Sequence, residues 1–223
     1  LTFTDSDWDS AQTITVTGVN DDIIDGTIST TITLAVVDGS SDDNFDSLAN
    51  QTVTATTADN DSAGFTVTQS SGTTAVTEGG GTDTFTVVLT AEPDSDVVIS
   101  VASGDTGEAT VSASSLTFTD GNWDSAQTIT VTGVNDDIID GTISTTITLA
   151  VVDGSSDDNF DSLANQTVTA TTTDNDSAGF TKSKSAVSVS ETGTTDTFTV
   201  VLNTQPDSDV VISVTSGDTG EAT

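Results

Sequence analysis

Residues 126–141 read AQTITVTGVNDDIIDG, in which an alternating stretch runs directly into an acidic turn. Ile129 and Val131 alternate with threonines, so the apolar side chains fall on one face of an extended chain and the hydroxyls on the other. β-Branched residues at every second position favour a strand that is buried on one face. The same alternation recurs along the chain, and no window has the spacing of a useful helix. The sequence therefore predicts an all-β protein.

Turn residues (Gly, Asp, Ser and Asn) separate the alternating stretches, which is typical of an antiparallel β-sandwich. We expect tandem Greek-key, immunoglobulin-like modules with about seven or eight strands each. In the middle of the chain the predicted strands are Phe65–Thr68, Thr74–Thr77, Thr82–Thr90, Asp96–Ala102, Ser115–Thr119, Ala126–Gly133, Ile143–Val152 and Gln166–Thr171.

The chain repeats itself at an offset of 115 residues, about the size of a small domain. Leu1–Phe65 and Leu116–Phe180 align without a gap and differ at three pairs of positions, and the stretches that follow align with a two-residue deletion. The turn-rich segment TTDNDSAG and its earlier copy are the most linker-like points of each period. They divide the chain into the C-terminal part of a module (1–63), a complete module (64–178) and the N-terminal part of another (179–223).

The two part-modules have two interpretations. The chain is a window from a longer array, or the parts complete one another between neighbouring chains. Head-to-tail completion of this kind would build a filament, because heterologous contacts that do not close generate fibres. The sequence leaves both open.

The charge balance excludes several classes of partner. The chain has 36 acidic and two basic residues, for a formal net charge of −34, so nucleic acids and anionic membrane surfaces would be repelled. Without Cys or His it has no disulfide, thiol nucleophile, imidazole base or soft-metal site. No apolar run reaches the length of a membrane span, about 18 residues. Nothing in the sequence resembles an active site, and we expect no enzyme activity.

The acidic residues point to hard cations. Of them 31 are Asp and five are Glu, and they gather in turns while the outward strand positions are Thr and Ser. The acidic turn after the strand 126–133 and the DND run after the strand 166–171 should emerge at the same pole of the sandwich. Their carboxylates would repel one another unless a cation with several oxygen ligands lay among them, and a loose, loop-borne set favours Ca²⁺ over Mg²⁺. The alternative is an acidic surface that keeps the protein soluble at high salt.

A second acidic cluster, DGSSDDNFDS, lies at Asp153–Ser162 and is repeated at Asp38–Ser47. It contains Asp153, Asp157, Asp158 and Asp161. Its interpretations are an additional Ca²⁺ site, a partner-binding loop or a solvated acidic hairpin.

The order SLTFT…QTITVTGVNDDIIDG…QTVTATTTDND resembles the Calx-β motif and its relatives in bacterial giant surface adhesins. The resemblance implies a seven-stranded sandwich that binds Ca²⁺ at its distal loops and at the junction between domains. One departure is Asn175, which replaces the middle acid of the DDD variant of the motif. By position, the implied ligands in the complete module are Glu78, Glu108, Asp136, Asp137, Asp140, Asp174 and Asp176. In the part-modules they are Asp21, Asp22, Asp25, Asp59, Asp61, Glu191 and Glu221.

Together these observations predict a calcium-binding, extracellular surface repeat whose partners are calcium and neighbouring repeats. Its role would be to stiffen an adhesin stalk or filament. Two alternatives remain, namely a filament subunit that assembles head to tail and a module that binds an adhesion ligand.

Overall fold

The computed structural model describes residues 1–223, which form thirteen β-strands and no helix, so no helix could cross a membrane. The strands are β1 Ile28–Leu34, β2 Gln51–Thr57, β3 Phe65–Gln69, β4 Thr74–Thr77, β5 Thr82–Leu89, β6 Val97–Ser103, β7 Ala109–Val111, β8 Ser115–Phe118, β9 Gln127–Gly133, β10 Ile143–Val151, β11 Gln166–Thr173, β12 Phe180–Lys182 and β13 Val200–Leu202.

Strands β3 to β11 form a two-layer sandwich, which we call the central sandwich. One sheet has the order β3-β5-β9-β7 and the other the order β4-β11-β10-β6-β8. All pairs are antiparallel except β4 and β11. Chain neighbours often lie in opposite sheets, as in Greek-key sandwiches. The predicted all-β sandwich is confirmed.

The central sandwich has one strand more than the eight predicted from the sequence. The additional strand, β7, has only three residues and pairs with the end of β9. It lies in the turn-rich segment SGDTGEATV, where two glycines and two acids conceal its short alternation.

The core lies between the two sheets and contains 18 buried residues. It is built from the inward positions of the alternating strands, such as Ile129 and Val131 in β9 and Ile147 and Leu149 in β10. The intervening threonines are more exposed, as period-two alternation requires. Trp123 packs against the edge of this core.

The flanking segments repeat single hairpins of the central sandwich. β1 and β2 pair in the same register as β10 and β11, with Ile28 opposite Thr57 as Ile143 is opposite Thr172. β12 and β13 likewise reproduce the first pairs of β3 and β5.

Other copies of sandwich strands do not form in the flanking segments. Residues 12–18 have the sequence of β9 but no strand structure, because segment 1–63 contains no counterpart of the neighbours β5 and β7. Their apolar side chains, including Ile14 and Val16, are exposed. Strand formation here therefore follows from the presence of a partner, not from local propensity alone.

The repeat provides a matched test of how the core stabilises the fold. Phe118 is 0% exposed, whereas its copy Phe3, in the same local sequence, is 53% exposed. We expect Phe118→Ala to lower the free energy of unfolding of the central sandwich by about 3–5 kcal/mol, because it leaves a cavity between the sheets. Phe3→Ala should change it by less than about 0.5 kcal/mol. Denaturant unfolding followed by tryptophan fluorescence would measure both, and equal effects would contradict this account of the core.

Candidate metal centre

Four chain segments meet at one end of the central sandwich, which we call the acidic pole. They are Glu78 after β4, Glu108 before β7, the acidic turn 134–141 after β9, and the tail 174–176 after β11. Backbone hydrogen bonds join them. The amide of Glu78 donates to the carbonyl of Thr173 at 3.1 Å, and the amide of Val134 donates to the carbonyl of Glu108 at 2.9 Å.

Glycine at position 133 allows the two sheets to approach closely at this pole. A Cβ atom on Gly133 would lie 2.2 Å from the carbonyl oxygen of Thr77, well inside any van der Waals contact. A glycine here lets the end of β9 lie against the end of β4. The acidic turn and Glu78, which follow these two strand ends, are thereby brought together.

Six of the seven ligands implied for the complete module form two groups of three. Within each group, one carboxylate oxygen per residue lies within 4.8 Å of those of the other two. One group is Glu78, Asp174 and Asp176; the other is Glu108, Asp136 and Asp140. Each group therefore combines a glutamate from one strand end with aspartates from a single loop segment.

The two glutamates are the most buried acids of the pole, at 5% exposure for Glu78 and 9% for Glu108. Burial raises the pKa of both carboxyls, and the surrounding aspartates raise the pKa further by repulsion. The only bond to the Glu78 carboxylate comes from the amide of Asn175, at 3.3 Å, and the Glu108 carboxylate accepts none. Two buried negative charges thus lie in the pole with almost no compensation from the protein.

The aspartates of the tail have opposite environments. Asp174 accepts the amides of Asp176, at 2.6 Å, and of Gly141, at 2.9 Å, and these hydrogen bonds lower its pKa. Burial and neighbouring aspartates raise the pKa of Asp176. The Oδ2 atom of Asp176 is buried without a hydrogen-bond partner. Asp174 therefore stabilises the loop, while Asp176 has an unpaired carboxylate oxygen that is free to bind a cation.

Two asparagines join the acidic turn to the tail, and the sequence did not single out this pairing. The side-chain amide of Asn175 donates to Oδ1 of Asn135 at 3.0 Å, and the side-chain amide of Asn135 donates to the carbonyl of Asp136 at 2.6 Å. The signal was the departure at Asn175. An ionised acid there could not donate to Oδ1 of Asn135, whereas the amide does so and links the two segments.

Asp137 lies outside both groups of three. Its charge is close enough to contribute to the raised pKa of Asp176. Its backbone carbonyl accepts the amide of Gln205 at 2.7 Å, a contact with the next segment of the chain.

The N-terminal copy of the turn and tail keeps the local geometry without the glutamates. Asp59 accepts the amides of Gly26, at 2.8 Å, and of Asp61, at 2.7 Å, as Asp174 does in the pole. Burial and then repulsion from Asp59, Asp22, Asp21 and Asp25 raise the pKa of Asp61. Segment 1–63 contains no counterpart of the two glutamates, and these five acids form no group of three.

The C-terminal segment 179–223 has copies of the two pole glutamates without the acidic turn and tail. Glu191 and Glu221, the copies of the two pole glutamates, are both exposed and belong to no carboxylate group. Segment 179–223 contains no counterpart of the acidic turn or of the tail.

The second acidic cluster is partly structural. Asp157 is buried and accepts the amides of Asp94, at 2.6 Å, and of Ser95, at 3.1 Å, so it fastens the loop 153–162 to the β5–β6 loop. Burial, and then the charge of Asp153, raises the pKa of Asp161. The loop is therefore a folded part of the sandwich surface.

No protein-family model and no curated protein matches the chain. Among solved structures, the apo form of the Calx CBD1 domain is 16% identical with a TM-score of 0.37, over 50% of this chain and 98% of that one. Domains 1–6 of the surface layer protein SbsC are 22% identical with a TM-score of 0.34, over 59% of this chain and 16% of that one. The Salmonella enterica SafA pilin in complex with the SafB chaperone is 8% identical with a TM-score of 0.35, over 50% and 55%. These likenesses concern the β-sandwich fold.

The pKa directions predict how stability varies with pH when divalent cations are removed. A carboxyl whose pKa is raised by folding binds its proton more tightly in the folded state, so the folded state gains stability as pH falls. Glu78, Glu108 and Asp176 at the pole act in this direction, as do Asp161 and Asp61 elsewhere in the chain. The lowered pKa of Asp174 acts in the opposite direction, but only below its unfolded value of about 3.9.

In EDTA we therefore expect the melting temperature to rise as pH falls from about 7 toward about 5, above the unfolded carboxyl pKa values of about 4. The triple variant Glu78→Gln, Glu108→Gln, Asp176→Asn should lose the part of this rise that comes from the pole, and keep the part that comes from Asp161 and Asp61. Thermal unfolding in matched buffers would measure it. A melting temperature that falls over the same range in the parent chain would show that the pole is not under repulsion.

Proposed function

We propose that this chain is a structural repeat of an extracellular surface protein, in which Ca²⁺ bound at the acidic pole of each module stiffens the array. The observation that carries the proposal is the pair of carboxylate groups at one pole, each with a glutamate at least nine-tenths buried. The related candidate, a module that binds an adhesion ligand through the loop 153–162, has no comparable support, because a buried Asp157 holds that loop in place.

A cation supplied by solvent is needed because no basic side chain forms an ion pair with the acids of the pole. The only basic side chains are Lys182 and Lys184, both in the C-terminal segment, and Lys184 pairs with Asp196. Buried carboxylates are stable when they are paired, protonated or bound to a metal. Near neutral pH, and with no basic partner available, metal binding is the arrangement in which all carboxylates of the pole can remain ionised.

The chemistry of the pole favours calcium. All its side-chain ligands are oxygens, and they come from loops and strand ends whose geometry is loose. Ca²⁺ accepts six to eight oxygen ligands at variable angles, whereas Mg²⁺ requires a near-ideal octahedron and retains its water. Two groups of three carboxylates support two ions, with backbone carbonyls and water completing each shell.

Stiffening follows from which segments share the ions. The tail 174–176 leads directly into the next part of the chain, and its Asp174 and Asp176 share a group with Glu78 from inside the sandwich. An ion bound there fixes the path of the chain as it leaves the module. Without the ion, the same carboxylates repel one another and the exit is free to vary.

The proposed location follows from the affinity expected of such a site. Extracellular calcium modules bind with dissociation constants on the order of 10⁻⁴–10⁻³ M. Such sites fill at the millimolar calcium levels found outside cells and remain empty inside them. On this proposal the connections between modules would stay flexible until the array was exported.

Calcium titration of a glutamate variant tests the proposal. For sites of this affinity, about 10 mM Ca²⁺ should raise the free energy of unfolding by about 1–3 kcal/mol per ion. Glu78→Gln removes a buried charge, so it should raise stability in EDTA but lose the part of the calcium gain that comes from the ion held by Glu78, Asp174 and Asp176. Its matched control is Glu191→Gln, at the copied and exposed position, which should change neither quantity.

Thermal or denaturant unfolding with and without Ca²⁺ gives the stability terms, and isothermal titration calorimetry gives the binding directly. No calorimetric binding and no stabilisation of the parent chain at 10 mM Ca²⁺ would refute the calcium mechanism. A Glu191→Gln variant that behaved like Glu78→Gln would show that the pole itself is not the site.

A further inference from the structure

The acidic turn of segment 1–63 contacts the central sandwich through its backbone. The backbone carbonyl of Asp22 accepts the amide of Glu92, in the β5–β6 loop, at 2.8 Å. Ile23 and Glu92 form an isolated parallel β-bridge. The turn that carries acidic residues thus also pairs with the following sandwich through its backbone.

An apolar contact accompanies this backbone pairing. Ile24, the second isoleucine of VNDDIIDG, is half-buried and packs against the core of the central sandwich together with Ala63 from the connection to β3. The connection is itself fastened, since the amide of Thr90 donates to the carbonyl of Gly64 at 3.0 Å and its hydroxyl donates to the carbonyl of Ser62 at 3.0 Å. Ile24 therefore closes the end of a sandwich to which it does not belong.

We call the contact between the turn of segment 1–63 and the central sandwich the first junction, and that between the turn 134–141 and segment 179–223 the second. The same backbone contact occurs at both, although the residues that receive the turn differ. The carbonyl of Asp137 accepts the amide of Gln205, which stands where Glu92 stands in the first junction, and Ile138 bridges to Gln205. The amide of Asn203 donates to the carbonyl of Gly179 at 2.9 Å, as Thr90 does to Gly64. Because Glu is replaced by Gln and Thr by Asn, the recurring geometry depends on the backbone and not on those side chains.

The isoleucine position also recurs. Ile139, the copy of Ile24, borders a cleft of about 250 Å³ whose apolar lining comes from the next segment. The lining includes Phe180, Leu202, Pro206 and Val210. Residues 179–223 do not build a complete sandwich, so this cleft stays open where its counterpart is closed by the core.

We propose that the second isoleucine of the acidic turn is a docking plug, by which each module binds the base of the next copy of itself. The turn has two working sides. In the turn 134–141, Asp136 and Asp140 group with Glu108 of the same sandwich, whereas the carbonyl of Asp137 pairs with the segment that follows. Apolar burial with a backbone pair gives an attraction that does not depend on charge, which an array with a net charge of −34 needs at every junction.

Spin-label distances across the first junction test the plug. The chain has no cysteine, so Ser29→Cys in β1 and Thr117→Cys in β8, both exposed, would give two unique labels. In the full 223-residue chain we expect a narrow distance distribution, which Ile24→Ser should broaden at least about twofold. The matched control is Val19→Ser, in the same turn at a side chain that is 84% exposed, and it should keep the parent's width.

Hydrogen exchange at the amide of Glu92 supplies a second measurement that does not use labels. Its exchange should be slow in the parent and in Val19→Ser, and at least about tenfold faster in Ile24→Ser. Far-UV circular dichroism checks that the central sandwich stays folded, which we expect because Ile24 lies outside it. A parent distribution as broad as that of Ile24→Ser, or unchanged Glu92 exchange in Ile24→Ser, would overturn the plug.

Both measurements are made in EDTA and in 10 mM Ca²⁺, which separates the plug from the calcium proposal. Broadening by Ile24→Ser in both buffers supports the plug whether or not calorimetry detects calcium binding. A parent distribution that is narrow only in calcium, and that Ile24→Ser does not broaden there, would overturn the plug and assign the junction to the ion alone.

Discussion

Repulsion among carboxylates at the acidic pole is the constraint on which the arrangement of this chain depends. Glu78 and Glu108 are buried among four aspartates, and no lysine or arginine lies within the first 181 residues. Hydrophobic burial between the sheets, with close approach at Gly133, brings the strand ends together despite that repulsion. The core thus creates an electrostatic problem at one end of the sandwich, and the stability of the module becomes linked to whatever neutralises it.

The fold followed from the sequence to a large extent because period-two alternation is a local signal. The bounds of β4 were predicted to the residue, and those of β9 and β10 within one residue. The short strand β7 was missed, because three residues among glycines and acids carry almost no periodicity. The flanking segments show the limit of local reasoning. Residues 12–18 carry the pattern of β9, yet they form no strand where the neighbouring strands are lacking.

The candidate site divides in the same way into local and non-local parts. The loop geometry around Asp174 needs only one hairpin, because Asp59 reproduces it in a segment that builds no sandwich. The burial of Glu78 is non-local and could not be read from TAVTE, since its copy Glu191 is exposed. The sequence also did not show that Asp137 falls outside both carboxylate groups. An apolar Ile-Ile pair inside an acidic turn was the available sign that one side of that turn faces another module.

Near identity between neighbouring copies has a consequence for how such a chain reaches its native state. The hairpins β1–β2 and β10–β11 have the same register and almost the same sequence. During folding, either hairpin could therefore pair between β4 and β6 in the five-stranded sheet. Exchange of such elements between adjacent domains is a characteristic misfolding route of repeat proteins. Side-chain chemistry cannot distinguish the two hairpins. The choice falls to chain connectivity, because only nine residues join β9 to β10 and a short loop closes at a smaller entropic cost.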